Sequence, residues 1–301
     1  MIPEFPQFKD LELSDRETLE DCFRNNPPLI SEMTFTNLFG WRKVCGYRLS
    51  RFQGGLLLLK QSNGIETFLA PQGVSDPLEA VEACFDFLRS RKKTPVLERV
   101  GEDFLARVPV LRERYEVRDD PDNYDYVYEV RQLIALEGKK FHEKKNRLNQ
   151  FRKNYVYRYL PLTPELVEAC LAFEHEWCEE KNCDENESLL HEKCAIMEML
   201  RNFKSLSTRG GLIEITGAVV ALTLGEPLND DTFVIHVEKA KSSLEGIYQA
   251  IHWEFLRREA VSFRFVNREQ DLGVEGLRRS KESYHPVRMI KKYTLKEKQN
   301  E

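Results

Sequence analysis

A pattern of predicted secondary structure occurs twice along this chain, and it limits the folds that the chain can adopt. In each half, paired strands precede a capped helix, and these helices begin at Pro77 and at Ser243. A further strand and an acidic-apolar pair, Asp103-Phe104 or Asp271-Leu272, follow each helix. The nearly equal intervals between matching positions predict duplication of one unit, with chance similarity as the alternative because few residues are identical. This order of elements predicts a mixed α/β fold in which helices cover mainly antiparallel sheets.

The chain has 301 residues, a length that suits two domains. We predict that the first domain covers residues 1–154 and ends with a basic helical segment at 136–154. The second domain, residues 155–301, would begin with a strand at 155–161. A helix start with Pro164 at its first position follows that strand.

Composition and charge exclude several classes of protein. The chain is 41% hydrophobic and 32% charged, which is typical of a globular protein, and its net charge of -5 argues against a surface that binds nucleic acid throughout. No apolar run is long enough to span a membrane, and the N-terminus lacks the order of charges of a signal peptide. The seven cysteines are an odd number, and reduced thiols in the cytoplasm are the simplest account of them.

The most informative segment is a group of polar residues that follows an apolar strand near the C-terminus. After Phe263-Arg264-Phe265-Val266 come Asn267, Arg268, Glu269, Gln270 and Asp271, and the segment continues to Pro286. Rigid strand ends often carry reactive side chains. Two carboxylates, a guanidinium and an amide are suited to binding an amine, an anion and an oxyanion. The structural alternative is a solvated turn with local ion pairs.

A second candidate site lies at the end of the preceding strand. His236 and Glu238 are two residues apart, so their side chains share one face of the strand. Lys239, Lys241 and the following Ser-Ser helix start offer an anion site, because the first N–H groups of a helix are unpaired. An exposed edge strand with an ordinary serine cap is the alternative.

Two other groups of residues have ordinary structural explanations. His175, Cys178, Cys183, His191 and Cys194 provide enough ligands for zinc, but their spacing is not that of a zinc finger, and we predict no metal site. The basic helix at 139–153 is either a solvated face or a surface that binds RNA or anionic lipid head groups. The basic C-terminal residues from Arg288 to Lys298 could extend that surface, although a frayed charged terminus is the stronger expectation.

The C-terminal motifs resemble a bacterial family related to the catalytic C-terminal domain of phosphatidylglycerol lysyltransferases. The resemblance rests on Asn267–Gly273, Gly276-Leu277-Arg278, Ser280-Lys281, Ser283–Pro286 and His236–Ala240. It implies two tandem acetyltransferase-like (GNAT) domains, a fold shared with Fem-type enzymes that transfer an aminoacyl group from aminoacyl-tRNA.

The chain also departs from the relatives. It has no multi-span membrane domain, and Lys239-Ala240-Lys241-Ser242-Ser243-Leu244-Glu245-Gly246 lacks the small residues with which a coenzyme A site binds pyrophosphate. Walker, dinucleotide-binding, zinc-protease and serine-hydrolase motifs are absent from the sequence. The missing small residues favour aminoacyl-tRNA over acyl-CoA as the donor and leave both open.

We therefore expect an acyl or aminoacyl transferase that acts on an amine or hydroxyl, with its chemistry in the C-terminal half. A catalytically silent binding module for a peptide, nucleotide or lipid head group is the alternative. The predicted catalytic residues are Glu238, Glu269, Asp271 and Tyr284. The predicted substrate-binding residues are His236, Lys239, Asn267, Arg268, Arg278 and Lys281.

Overall fold

The computed structural model describes residues 1–298, and these fold into alternating strands and helices. The strands are β1 Lys9–Asp10, β2 Tyr47–Phe52, β3 Gly55–Ser62, β4 Ile65–Leu69, β5 Val96–Gly101, β6 Tyr115–Asp119, β7 Asp125–Glu129, β8 Arg158–Pro161, β9 Arg209–Ile215, β10 Ala218–Pro227, β11 Thr232–Ala240, β12 Phe265–Asn267, β13 Arg288–Ile290 and β14 Lys292–Glu297. The α-helices are α1 Arg16–Asn25, α2 Phe35–Cys45, α3 Pro77–Ser90, α4 Glu102–Arg107, α5 Leu111–Arg114, α6 Val130–Ala135, α7 His142–Asn154, α8 Val167–Glu180, α9 Glu187–Arg201, α10 Ile247–Phe255 and α11 Glu275–Glu282.

Over residues 1–298 the strands form two seven-stranded sheets with matching topology. In the first sheet, β2, β3 and β4 are antiparallel neighbours, and β5 pairs parallel to β4 after α3. In the second sheet, β9, β10 and β11 are antiparallel neighbours, and β12 pairs parallel to β11 after α10. The predicted repeat and the predicted α/β fold class, with two mainly antiparallel sheets flanked by helices, are confirmed.

The chain divides into two compact units whose bounds differ from the predicted boundary at residue 154. The first unit comprises Met1–Asp125, Gln270–Gly273 and the segment from Ile290, and the second comprises Tyr126–Glu269 and Val274–Met289. The difference arises from long-range strand pairing. Strand β7 pairs with β12 of the second sheet, and β14 pairs with β5 and β6 of the first.

The C-terminal segment is therefore a strand, and the expectation of a frayed basic terminus is wrong for residues 292–297. Lys292 is fully buried, and its Nζ lies 2.6 Å from an oxygen of Glu32 and 2.6 Å from Oδ1 of Asp125. Leu295 is also fully buried in the core of the first unit. The strand is held by apolar burial and by a buried ammonium that two carboxylates neutralise.

In the second unit, apolar residues of the sheet and of α10 form the core that positions the site. Phe233 and Val266 of the sheet and Ile251 and Phe255 of α10 are all fully buried in one cluster. Helix α10 begins after Gly246, which has a φ of 82°. A Cβ at Gly246 would lie 2.3 Å from the carbonyl oxygen of Arg147, so only glycine allows α10 to approach α7 this closely.

Candidate active site

The candidate site lies where two parallel strands of the second sheet stop pairing. Thr232–Val234 of β11 pair with Phe265–Asn267 of β12, and β11 then continues to Ala240. His236 and Glu238 lie on this continuation, while Arg268 and Glu269 follow the end of β12. Beyond Val234 and Asn267 the two strands are no longer paired, which leaves an opening between them. The four predicted side chains meet in this opening, where His236 contacts Glu269 and Glu238 contacts Arg268.

Glu238 is the centre of this group. Its Oε2 accepts a hydrogen bond from Nδ1 of His252 at 2.8 Å, and its Oε1 accepts one from Nη2 of Arg268 at 3.1 Å. Burial alone would raise the pKa of Glu238, but Arg268 and His252 outweigh that effect and lower it to about 2. Glu238 is therefore a carboxylate at neutral pH, with one oxygen bound to each partner.

His252 is the functional candidate that sequence reasoning missed. Its side chain is 2% exposed, and because Glu238 only accepts, Nδ1 of His252 carries the proton. Its Nε2 is buried and has no hydrogen-bond partner among the described residues. Burial and the nearby Arg268 lower the pKa of His252 below its usual range, so the ring is neutral at pH 7. A carboxylate-oriented neutral imidazole with an available Nε2 is the arrangement of a general base.

His236 forms a separate ion cluster beside this pair. Its Nδ1 lies 2.8 Å from Glu269 and its Nε2 lies 2.9 Å from Glu226. Burial disfavours the charged ring, but hydrogen bonds to the two carboxylates outweigh it and raise the pKa of His236 to about 10. His236 is thus a buried imidazolium that holds Glu269 in place.

Tyr284 lies against both the base and the guanidinium. Its ring centroid is 5.4 Å from that of His252, and Cζ of Arg268 lies 4.9 Å from the centre of the Tyr284 ring. Burial raises the pKa of Tyr284 to about 12, so its phenol is neutral and able to donate a hydrogen bond. The structure thus brings this predicted residue into the site.

Other predicted residues shape the turn after β12. Asn267 is fully buried, and its Oδ1 accepts a hydrogen bond from the N–H of Glu269 at 2.8 Å. Lys281 donates from Nζ to the carbonyl oxygens of Arg268 and Glu269. Arg278 is half-buried on α11. Asn267 and Lys281 therefore bind the backbone that presents Arg268 and Glu269.

Two further predicted residues, Lys239 and Asp271, make other contacts. Lys239 neighbours Glu238 on β11 and so points to the opposite face, where its Nζ lies 2.5 Å from Glu192 and 3.6 Å from the centre of the Trp177 ring. Asp271 is buried in the first unit, and its Oδ1 accepts a hydrogen bond from the N–H of Gly273. Strand alternation explains why Lys239 faces away from Glu238, and Asp271 belongs to the segment Gln270–Gly273 of the first unit.

Two of the cysteines are oxidised, although the sequence predicted reduced thiols. Cys178 and Cys183 form a disulfide with a Cα–Cα distance of 5.2 Å, so the expectation of reduced thiols is wrong for these two residues. The short turn after α8 brings both sulfur atoms together.

The other candidate zinc ligands have separate surroundings. His175 lies near Lys193 and Glu179, and Cys194 is an exposed free thiol. Within the described part of the chain, no group of three or more His, Cys, Asp or Glu side chains is placed to hold a metal ion.

From residue 1 to residue 298, no helix has both the length and the apolar character needed to cross a membrane.

Other proteins of known structure share the fold of this chain. A conserved protein of unknown function from Bacteroides thetaiotaomicron is 34% identical, with a TM-score of 0.91 over 99% of this chain and 100% of that chain. The C-terminal domain of a putative lysylphosphatidylglycerol synthetase from Agrobacterium fabrum shares the fold, with a TM-score of 0.70 and 10% identity over 95% of this chain and 92% of that chain.

A curated relative matches part of the chain. An uncharacterised protein of Mycoplasmoides gallisepticum is 26% identical over 180 residues, which are 57% of this chain and 56% of that protein. The chain thus spans little more than half the length of that relative. The family model of the phosphatidylglycerol lysyltransferase C-terminal domain matches residues 24–296. This chain therefore belongs to the phosphatidylglycerol lysyltransferase C-terminal family.

Proposed function

We propose that this protein transfers an aminoacyl group from aminoacyl-tRNA, or an acyl group from an acyl-CoA, to an amine or hydroxyl acceptor. Family membership points to aminoacyltransferase-like chemistry. The observation that carries the proposal is the buried Glu238–His252 pair, whose geometry leaves Nε2 of His252 as the proton acceptor.

In the proposed reaction, Nε2 of His252 takes the proton of the acceptor as the acceptor attacks the activated carbonyl carbon. The new bond to the acceptor forms, and the bond from the carbonyl carbon to the donor oxygen or sulfur breaks. The proton then passes from His252 to the leaving oxygen or sulfur, so the base returns to its neutral form. The hydrogen bond from Nδ1 of His252 to Glu238 is kept throughout, and the carboxylate charge of Glu238 stabilises the transient imidazolium.

The contact between α10 and α7 favours aminoacyl-tRNA as the donor. The N-terminus of a helix binds phosphate well only when its N–H groups are accessible. Here the residue before α10 approaches the Arg147 carbonyl so closely that a Cβ at Gly246 would lie 2.3 Å from it. The N–H of Ile247 at the start of α10 also donates to the carbonyl oxygen of Leu244, so it is not available to a pyrophosphate.

Replacement of His252 by glutamine is expected to reduce transfer about 10²- to 10⁴-fold, because a positioned general base contributes that much. The purified protein would be incubated with a panel of aminoacyl-tRNAs and acyl-CoAs, together with phosphatidylglycerol vesicles and simple amines. Mass spectrometry would detect the products. Because the pKa of His252 lies below its usual range, the acid limb of the wild-type pH profile should lie below about pH 6.5.

His175→Gln is the matched control, since His175 is an exposed histidine of the same unit. Full activity of folded His252→Gln protein would remove His252 as the base. Absence of transfer from every donor, with ligand binding retained, would favour the silent binding module.

A further inference from the structure

Glu174, on α8, carries a buried carboxyl group that makes no hydrogen bond within the described part of the chain. Glu174 is 0% exposed, and both of its carboxyl oxygens are buried without a partner among residues 1–298. Buried polar groups in folded proteins are normally hydrogen-bonded, so an exception calls for an explanation. Neither form of this carboxyl is satisfied, because the protonated form has no acceptor for its O–H and the ionised form has no donor.

The ammonium group that could neutralise Glu174 is held by another carboxylate. Trp177 lies one turn after Glu174 on the same face of α8, and its ring centre is 3.6 Å from Nζ of Lys239. The same Nζ lies 2.5 Å from an oxygen of Glu192, which belongs to α9. Lys239 therefore connects β11 to both helices, through an aromatic ring on α8 and an ion pair on α9.

Burial and three charged side chains decide the ionisation of Glu174. Burial has the largest effect and raises the pKa of Glu174 to about 7. Lys239 on β11 opposes this shift, while on α9 the carboxylate of Glu192 adds to it and the ammonium of Lys193 opposes it. Nζ of Lys193 lies 3.3 Å from Nδ1 of His175, so Lys193 is engaged elsewhere. Glu174 therefore gains and loses its proton near neutral pH.

Glu174 and Glu192 differ in how well their charges are stabilised without Lys239. The Glu192 side chain is 36% exposed, so water can solvate its carboxylate. Glu174 is fully buried, and an unpaired carboxylate in such a position is costly. The pairing of Lys239 with Glu192 is therefore favoured while Glu174 is protonated. Once Glu174 is ionised, the pairing of Lys239 with Glu174 is favoured instead.

We propose that Glu174 and Glu192 compete for Lys239 and so form a pH-sensitive switch that sets how firmly α9 is held on β11. In the acidic form, Glu174 is neutral and Lys239 binds Glu192, as in the structure. In the alkaline form, the proton of Glu174 passes to solvent, Lys239 binds Glu174, and α9 loses its ion pair with β11. The switch is independent of the proposed transfer reaction, because Lys239 lies on the face of β11 opposite Glu238.

The direction of the switch follows from the raised pKa of Glu174. The folded protein keeps the Glu174 proton up to about pH 7, whereas the carboxyl of the unfolded chain has its ordinary pKa of 4.5. The acidic form is therefore present below neutral pH and is lost as the pH rises through about 7.

Hydrogen–deuterium exchange of α9, residues Glu187–Arg201, tests the switch in the whole protein. The wild type would be measured at pH 6 and pH 8, with rates corrected for the intrinsic effect of pH on amide exchange. We expect α9 to exchange about two- to fivefold faster at pH 8, the size of effect of a partly exposed ion pair. Glu174→Gln should remove this pH dependence, because an amide does not ionise and Lys239 then stays on Glu192. Glu168→Gln, which replaces an exposed carboxyl on α8, should behave like the wild type.

Two further measurements keep the test decisive. Glu192→Gln should show the faster exchange of α9 at both pH values, because a neutral amide holds the ammonium more weakly than a carboxylate does. Carbon-13 NMR of the carboxyl groups should detect a glutamate that titrates near pH 7 in the wild type and is missing from Glu174→Gln. Glutamine has the size and neutrality of protonated glutamate, so Glu174→Gln should fold, and circular dichroism would confirm this.

Three results would overturn the switch. The first is equal pH dependence of α9 exchange in the wild type and in folded Glu174→Gln. The second is wild-type exchange of α9 that does not change between pH 6 and pH 8 after the correction. The third, which needs no variant, is the absence of any glutamate carboxyl that titrates near pH 7 in the wild type.

Discussion

Replacement of Lys292 by methionine is expected to destabilise the first unit by about 3–5 kcal/mol, because removal of one partner from a buried ion cluster leaves uncompensated charge behind. Lys292 is fully buried, with Nζ 2.6 and 2.8 Å from the two oxygens of Glu32 and 2.6 Å from Asp125. Methionine fills a similar volume but leaves both carboxylates without the ammonium. Urea unfolding at equilibrium, followed by tryptophan fluorescence, to which Trp41 of that unit contributes, would measure the loss.

Lys296→Met is the matched control for this prediction. Lys296 lies on the same strand, β14, but is only half-buried, so its loss should cost less than about 1 kcal/mol. If both variants were equally destabilised, the effect would belong to the strand rather than to the buried charge.

The second large effect is a loss of stability at alkaline pH that depends on His236. The folded state raises the pKa of His236 from 6.5 to about 10 through its two carboxylate partners, against the opposing effect of burial. A group with a raised folded pKa contributes its full stability below the unfolded pKa and loses it as the pH rises through the folded pKa. We therefore expect His236 to contribute on the order of 5 kcal/mol below pH 6.5, and this contribution to disappear between about pH 6.5 and 10.

Urea unfolding of the wild type and of His236→Gln at pH 6, 8 and 10 would measure this contribution. The variant should be less stable at pH 6, because Glu226 and Glu269 lose their cation, and the difference should shrink toward pH 10. Tyrosines and lysines that titrate in the same range affect both proteins and cancel in the comparison. A difference that stays constant across the three pH values would contradict the prediction.

The sequence predicted much of the second-unit site because strand ends have local signatures. The alternation of residues on β11 placed His236 and Glu238 on one face, and the polar residues after β12 placed Arg268 and Glu269 near them. The structure brings these four side chains together. Their roles in catalysis and binding remain predictions that the variants above test.

Other members of the site have no local signature. His252 lies among apolar residues of α10, where a lone histidine usually belongs to the core, and only its contact with Glu238 distinguishes it. Lys144 is one of several lysines in a basic helix, and its burial against Tyr284 becomes visible only when α7 is placed. A spacing pattern cannot indicate contacts such as Glu238–His252 or Lys144–Tyr284, since their partners lie on different elements.

Periodicity, caps and turn residues act over short distances, so local sequence predicted the repeated strand–helix pattern and the polar residues at the end of β12. The tertiary fold, through strand pairing over long distances, places β7 in the second sheet and β14 in the first, which their positions in the chain do not indicate. It also decided the protonation of His236, Glu238 and His252. The physical reason is that strand pairing and the neutralisation of buried charge depend on partners distant in the chain.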